Sequence, residues 1–182
     1  MQYFNNSSHT YSLRKIPSGF TLTEVLIVIA IIVVLASISI SGLTALKDRQ
    51  SNSQTMVLIA SLGNALDRYK ADNGEFPDGD GSVRSSKVLY QSLYGDFDED
   101  GDTDTGETAY LKILDPNLKG ARQVVSKELN YSVLDAWRRP IYYQSPGQMN
   151  PSGDFDLWSL GKDGKGGPER RGKETKDDHN NW

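Results

Sequence analysis

Residues 18–40 read SGFTLTEVLIVIAIIVVLASISI. From Leu22 to about Leu46 the chain is apolar apart from a few Ser and Thr, and about 20 such residues cross a bilayer as one helix. The run is too uniformly apolar for the helix of a soluble core, which keeps a polar face. Ahead of it, residues 1–19 carry Arg14 and Lys15 and no acid. This places the N-terminus on the cytoplasmic side and everything after Lys47 across the membrane. The segment has the outline of a secretory signal peptide, with Ser37-Ile38-Ser39 as a weak small-x-small site. It lacks Ala-x-Ala, however, and the apolar pattern continues through Leu43 and Leu46, so the run is expected to be retained.

Glu24 is the anomaly in this run. An acid at that depth is unfavourable and is functional by default; the alternative is a side chain that snorkels to the headgroups. No cation lies close to it in the uncut sequence. Cutting between Gly19 and Phe20 would free an α-amino group on Phe20. That amine would lie one turn from Glu24 in the same helix, or beside Glu24 of an axially shifted neighbour. The acid then reads as a registration device between subunits, since opposite charges a few ångströms apart attract strongly outside bulk water.

The bulk composition narrows the function. The chain has 182 residues, 20 basic and 24 acidic side chains, a formal net charge of −4, two histidines and no cysteine. That length suits one domain plus an anchor. Thiolate catalysis, disulfides and cysteine zinc sites are excluded, and His9 falls in the segment expected to be removed, leaving His179 alone. Net acidity argues against nucleic acid as a partner, and the densest basic stretch, ERRGKETK, is interleaved with acids. No nucleophile has a plausible base, nothing places two carboxylates across a cleft, and GKDGKGG lacks the context of a phosphate loop. The expectation is a protein that is not an enzyme.

SGFTLTEVLIVIAIIVVLA resembles the class III signal of type IV pilins and type II secretion pseudopilins. The resemblance implies cleavage after Gly19 by prepilin peptidase, N-methylation of Phe20, and a role for Glu24, at the fifth mature position, in guiding assembly. YKADNGEFP, residues 69–77, is similar to the end of the long helix in major pseudopilins. The implied fold is α+β and pilin-like: a long N-terminal helix, half membrane-spanning and half amphipathic, packed on a small three-stranded antiparallel sheet with calcium-binding loops. The corresponding parts are a leader over 1–19, a transmembrane and assembly helix over 20–46, and a periplasmic head over 47–182.

Within the head, Val57, Leu58, Leu62, Ala65, Leu66 and Tyr69 recur at helical spacing, which extends the helix beyond the membrane. Between its halves, ASISISGL (36–43) contains poor helix formers. Two readings stand: a stretch that unwinds when subunits pack, or an unbroken membrane helix. Asn73-Gly74 and Pro77 end the helix. KVLYQSLYG is a short helical candidate and TAYLKIL a further apolar stretch. LNYSVLDAW, IYYQSPG and FDLWSLG read as three strands that bury Tyr131, Tyr142, Phe155 and Trp158 in part, and the charged tail from Lys162 reads as loop.

DFDEDGDTDTGE, residues 96–107, fits the calcium-loop pattern D-x-D-x-D-G-x5-E without mismatch. In that frame Asp96, Asp98 and Asp100 ligate through side chains, Asp102 through its carbonyl, Asp104 directly or through water, and Glu107 with two oxygens. No second hand is present, and Thr103 stands where an aliphatic residue usually pairs with one. Affinity on the order of 10⁻⁴–10⁻³ M is expected; the competing reading is a solvated acidic loop. A second calcium site is implied by resemblance alone. FDLWSLGKDGKGG followed by DDHNNW is similar to the C-terminal loop of the major pseudopilin, which implies the Leu160 carbonyl, Asp163 and Asp178 as ligands, with Asp177 adjacent. Here Arg170, Arg171, Lys173, His179 and the Ala136, Arg138 and Arg139 of DAWRRP depart from the family pattern. The competing reading for this segment is a charged tail.

The resemblance implies a structural subunit of a type II secretion pseudopilus. It would sit as a single-pass protein in the inner membrane, with its head in the periplasm, and assemble into a filament that helps export folded proteins. Implied partners are copies of itself, other pseudopilins, prepilin peptidase, an inner-membrane assembly platform and membrane lipid. The alternatives are a type IV pilin for adhesion, motility or DNA uptake, and an uncleaved membrane-anchored calcium-binding module.

Overall fold

The computed structural model describes residues 19–118, 124–150, 154–167 and 177–182, with the side chains of 38–45 outside the description. Arg14, Lys15, Arg170, Arg171 and Lys173 therefore lie outside the described residues. The chain divides into two compact units, Met1–Leu43 and Thr44–Trp182.

Helix α1 runs over Leu22–Asn73, and its backbone is helical through 36–43. In the first unit, each described side chain from Val25 to Leu35 is exposed, whichever face it occupies. Leu22 is 82% exposed and Leu35 59%. Among the described residues no helix is long and apolar enough to cross a membrane; the apolar run of the sequence passes through 38–45, which are outside that set.

In the second unit α1 turns amphipathic. Leu58, Ile59, Leu62, Ala65 and Leu66 are buried, the i, i+4, i+8 stripe of a helix laid on a core. Val57, grouped with that stripe in the sequence, is exposed. The helix stops where expected. Gly74 adopts φ 88° and its N–H donates to the Lys70 carbonyl at 2.7 Å, a left-handed closure that glycine makes without strain.

Strand β1 (Gly79–Asp80) and helix α2 (Ser85–Tyr94) follow. α2 places Leu89, Tyr90 and Leu93 fully inside, and the second apolar stretch forms a 3-10 turn at Lys112–Leu114 that buries Leu114. The remaining strands are β2 (Val125–Ser126), β3 (Ser132–Val133), β4 (Tyr142–Ser145), β5 (Asp156–Ser159) and β6 (His179–Asn180). They form an antiparallel four-stranded sheet in the order β1-β4-β5-β6 and a separate β2-β3 ladder.

This corrects the three-stranded expectation. IYYQSPG and FDLWSLG do pair, Tyr143 opposite Leu157. LNYSVLDAW adds no third strand to this pair and meets it through an isolated Leu134–Pro140 bridge and an Ile141 N–H to Val133 carbonyl bond of 2.8 Å: Asn130 and Tyr131 take positive φ, 55° and 56°, which breaks an extended run and leaves Ser132–Val133 to pair with β2. The tail, expected as loop, returns as β6 on the edge of β5. Phe155 and Trp158 are buried, and Tyr131 and Tyr142 half-buried. Side-chain bonds tie helix to sheet: Ser85 Oγ accepts the Tyr143 N–H at 3.0 Å, Ser86 Oγ donates to the Val133 carbonyl at 2.9 Å, and the Tyr143 hydroxyl donates to the Pro77 carbonyl at 2.7 Å.

Candidate functional site

Three places gather the residues singled out in the sequence. At the first, Gly19, Phe20 and Thr21 precede the helix in non-helical backbone. Phe20 is 84% exposed, and no described residue crowds a Cβ at Gly19. Glu24 is engaged locally. Its Oε2 accepts the Thr21 N–H and the Thr21 hydroxyl, both at 2.8 Å, while Thr21 Oγ1 accepts the Glu24 N–H at 3.3 Å. This is a capping box, T-x-x-E, satisfying orphan donors at the helix start. Its sequence signal is Thr21-Leu22-Thr23-Glu24.

The second place is the acidic loop. The structure brings one carboxylate oxygen each of Asp96, Asp98 and Asp104 within 4.8 Å of one another. Asp96 is fully buried at the end of α2. Its Oδ2 accepts the Tyr90 hydroxyl in a short bond and the Gly101 N–H at 2.9 Å, whereas its Oδ1 is buried without a hydrogen-bond partner. Asp104 Oδ2 accepts the Phe97 N–H at 2.8 Å. Asp98 Oδ1 accepts the Asp100 N–H at 3.2 Å. That bond favours the Asp98 carboxylate, but desolvation and the charges of Asp100, Asp104 and Asp96 together hold its pKa above the usual range. Burial and the Asp96 charge likewise push the Tyr90 phenol up.

The carboxylates of Asp100 and Glu107 are exposed and outside the cluster; Asp100 Oδ1 accepts the Asp102 N–H at 2.8 Å. The loop follows helix α2, but among the described residues only the 3-10 turn Lys112–Leu114 comes after it where an EF-hand has an α-helix. It is nonetheless well held. Tyr131 donates its hydroxyl to the Glu99 carbonyl, Asn117 Nδ2 donates to the Gly101 carbonyl at 3.0 Å, and Lys87 pairs with the Glu99 carboxylate.

The third place is the C-terminal loop. Here Gly161 passes so close to the Asp177 carbonyl that a Cβ would collide with it, which lets the chain end close over residues 160–167. The Asp163 N–H donates to Asp177 Oδ2 and the Gly167 N–H to Asp178 Oδ2, each at 3.1 Å. Asp178 Oδ1 is buried without a partner. Burial holds the Asp178 carboxyl above the usual range; the Gly167 bond opposes this and the Asp177 and Asp163 charges add to it. The expected ligands do not form a cluster as tight as that of the acidic loop. The Leu160 carbonyl accepts the Gly164 N–H at 3.1 Å.

One of the departures from the family pattern acts in this loop. The Arg139 guanidinium donates to the Gly161 carbonyl and, at 2.6 Å, to the Lys162 carbonyl. Arg139 is set by Asp135, a buried residue the sequence reading passed over, whose Oδ1 accepts the Trp137 and Arg139 N–H groups at 2.8 and 2.9 Å and whose Oδ2 accepts Ser159 Oγ at 2.6 Å. His179 stacks on Trp137 with ring centroids 5.9 Å apart, and its Nε2 lies 3.2 Å from Asn52 Oδ1. Burial holds the His179 imidazole below its ordinary value, against the charges of Asp177 and Asp135.

Comparison with known proteins gives these places a context. Residues 14–40 match the prokaryotic N-terminal methylation motif, and residues 112–182 match type II secretion system (T2SS), protein G. The chain is 31% identical to the type II secretion system core protein G of Aeromonas hydrophila over 169 residues, 93% of this chain and 94% of that one. It is 30% identical to that of Vibrio cholerae over 171 residues, covering 93% and 94%. It is similar at 22% identity and a TM-score of 0.39 to the crystal structure of the major pseudopilin from the type 2 secretion system of enterohaemorrhagic Escherichia coli, covering 77% and 93%. The start of the chain carries the prokaryotic N-terminal methylation motif. The chain belongs to the type II secretion system core protein G family. The relationship spans nearly the whole chain and favours pseudopilin over the type IV pilin alternative.

Proposed function

We propose that the mature chain is a structural, non-catalytic subunit of a type II secretion pseudopilus. Prepilin peptidase cuts between Gly19 and Phe20, Phe20 is N-methylated, and the first part of α1 anchors the subunit in the inner membrane with its head in the periplasm. Subunits then leave the bilayer for a filament, built with other pseudopilins on an inner-membrane platform, whose growth helps move folded proteins outward. The observation that carries this reading is the start of α1: an exposed Phe20, then a capped helix exposing apolar side chains all round. A helix without a polar face needs lipid or other helices as its surroundings, and a filament seam exchanges one for the other. Glu24, freed from or shared with its cap, sets the register against the new Phe20 amine.

In the C-terminal loop, Asp163, Asp177 and Asp178 with the Leu160 carbonyl would hold a calcium ion. The buried open oxygen of Asp178 supports that fit, and the ion would offset most of the charge of the three acids and fasten the chain end to the sheet. The test of the main proposal is deletion of the protein in its own host, with cross-linking of the restored chain. We expect folded export substrates to accumulate in the periplasm on deletion, and ladders of cross-linked subunits on restoration. Unchanged export on deletion, or restored export with the chain always monomeric, would overturn it.

A further inference from the structure

The pseudopilus reading does not account for the acidic loop, and the inference drawn from it stands apart from that reading. Residues 96–107 hold seven acidic side chains and no basic one, which is by itself only a strongly charged loop. What makes it a site is Asp96. This carboxylate is completely withdrawn from solvent, one oxygen is occupied by Tyr90 and Gly101, and the other faces no donor at all. A buried ionised group with an open lone pair is costly unless a cation completes it. The nearby bases touch other parts of the loop: Lys87 pairs with Glu99, and the Lys127 ammonium lies beside Gly101 and over the Tyr131 ring, 5.7 Å from its centroid. The Asp98 and Asp104 carboxylates converge on the same place, with ligating oxygens within 4.8 Å. Two oxygens that share a calcium ion at about 2.4 Å stand at most about 4.8 Å apart.

We propose that this loop binds one calcium ion through Asp96, Asp98 and Asp104, and not through the six-residue set that its linear pattern suggests. Asp96 is the inner anchor, fixed to α2 through Tyr90, and the two outer carboxylates close over the ion. Hard all-oxygen ligation and a flexible loop suit calcium better than magnesium, which demands a tight octahedron. Water and loop carbonyls supply the remaining positions. Glu107, the bidentate residue of an EF-hand frame, lies exposed outside the group. Asp100 likewise lies exposed outside the group.

The test is calcium titration of the full chain in detergent by isothermal calorimetry, comparing wild type with Asp98→Asn, Asp104→Asn and Glu107→Gln. Asp98 is exposed, so Asp98→Asn leaves the fold intact, checked by an unchanged thermal midpoint without calcium. We expect a binding event that Asp98→Asn and Asp104→Asn each weaken at least tenfold and Glu107→Gln changes less than twofold. Because the C-terminal loop can supply an event of its own, the comparison is made in an Asp163→Asn, Asp178→Asn background; calcium binding there that both acidic-loop Asp variants leave unchanged overturns the assignment. Loss of binding in Glu107→Gln would restore the EF-hand set in its place, and no event up to 10 mM calcium would remove the site.

Discussion

Replacing Asp135 should be among the more damaging polar substitutions in the head. Its carboxylate is buried and accepts three donors: two backbone N–H groups of its own turn and the fully buried Ser159 hydroxyl of β5. Asp135→Ala strands all three. A buried donor left unmet costs about 1–3 kcal/mol, and Trp137 is half-exposed, so water recovers part of its share. The total is about 3–5 kcal/mol. Asp135→Asn keeps one oxygen for the two N–H groups, and its amide can donate to Ser159 Oγ, so its cost is about 1 kcal/mol. Urea unfolding of the head, followed by tryptophan fluorescence, separates the two, because Trp137 sits in the turn and Trp158 on the neighbouring strand. An unchanged slope with a lowered midpoint marks a loss of stability rather than a change in the unfolded state. If the alanine variant costs no more than the asparagine variant, the turn is held by something other than this carboxylate.

The cap and the charge of Glu24 are separable. Glu24→Gln keeps an oxygen for Thr21 and should leave the helix start protected from hydrogen exchange while abolishing filament assembly. Thr21→Ala should fray the first turn by about 1 kcal/mol yet still assemble; the reverse pattern would make Glu24 a cap and nothing more. His179 gives the head a pH dependence. Its pKa is lowered in the folded state, so its contribution is present above the ordinary value of about 6.5 and is lost as pH falls through the lower folded value. Asp178, held above its ordinary range, pulls the opposite way at lower pH. Between pH 6.5 and 5 the wild type should therefore lose stability on acidification, with His179→Gln flatter over that window when midpoints are compared.

Much of this architecture was legible in the sequence because it rests on local chemistry. Asn73-Gly74 closes α1 and KVLYQSLYG supplies the buried face of α2, through caps and periodicity that any reader of the chain can see. The central strand pair was legible from its aromatic and β-branched residues. What escaped is either too short to carry a period or made by distant partners. β1 and β6 have two residues each, and Ser132–Val133 is cut short by the positive φ of Asn130 and Tyr131. The grip of Arg139 on the Gly161 and Lys162 carbonyls joins segments more than twenty residues apart. The acidic motif located its loop, but only burial singles out Asp96 and leaves Glu107 outside. The Thr21–Glu24 cap is the exception, a local signal overlooked because Glu24 was weighed as a charge and not as an acceptor.

The most direct test of the account is the intact mass and N-terminal sequence of the protein, purified from its host with and without prepilin peptidase. A chain beginning at N-methylated Phe20 when the peptidase is present, and at Met1 when it is absent, is the result the account predicts. A chain beginning at Met1 in both would contradict it, leaving Glu24 as a helix cap and the protein as a tethered head.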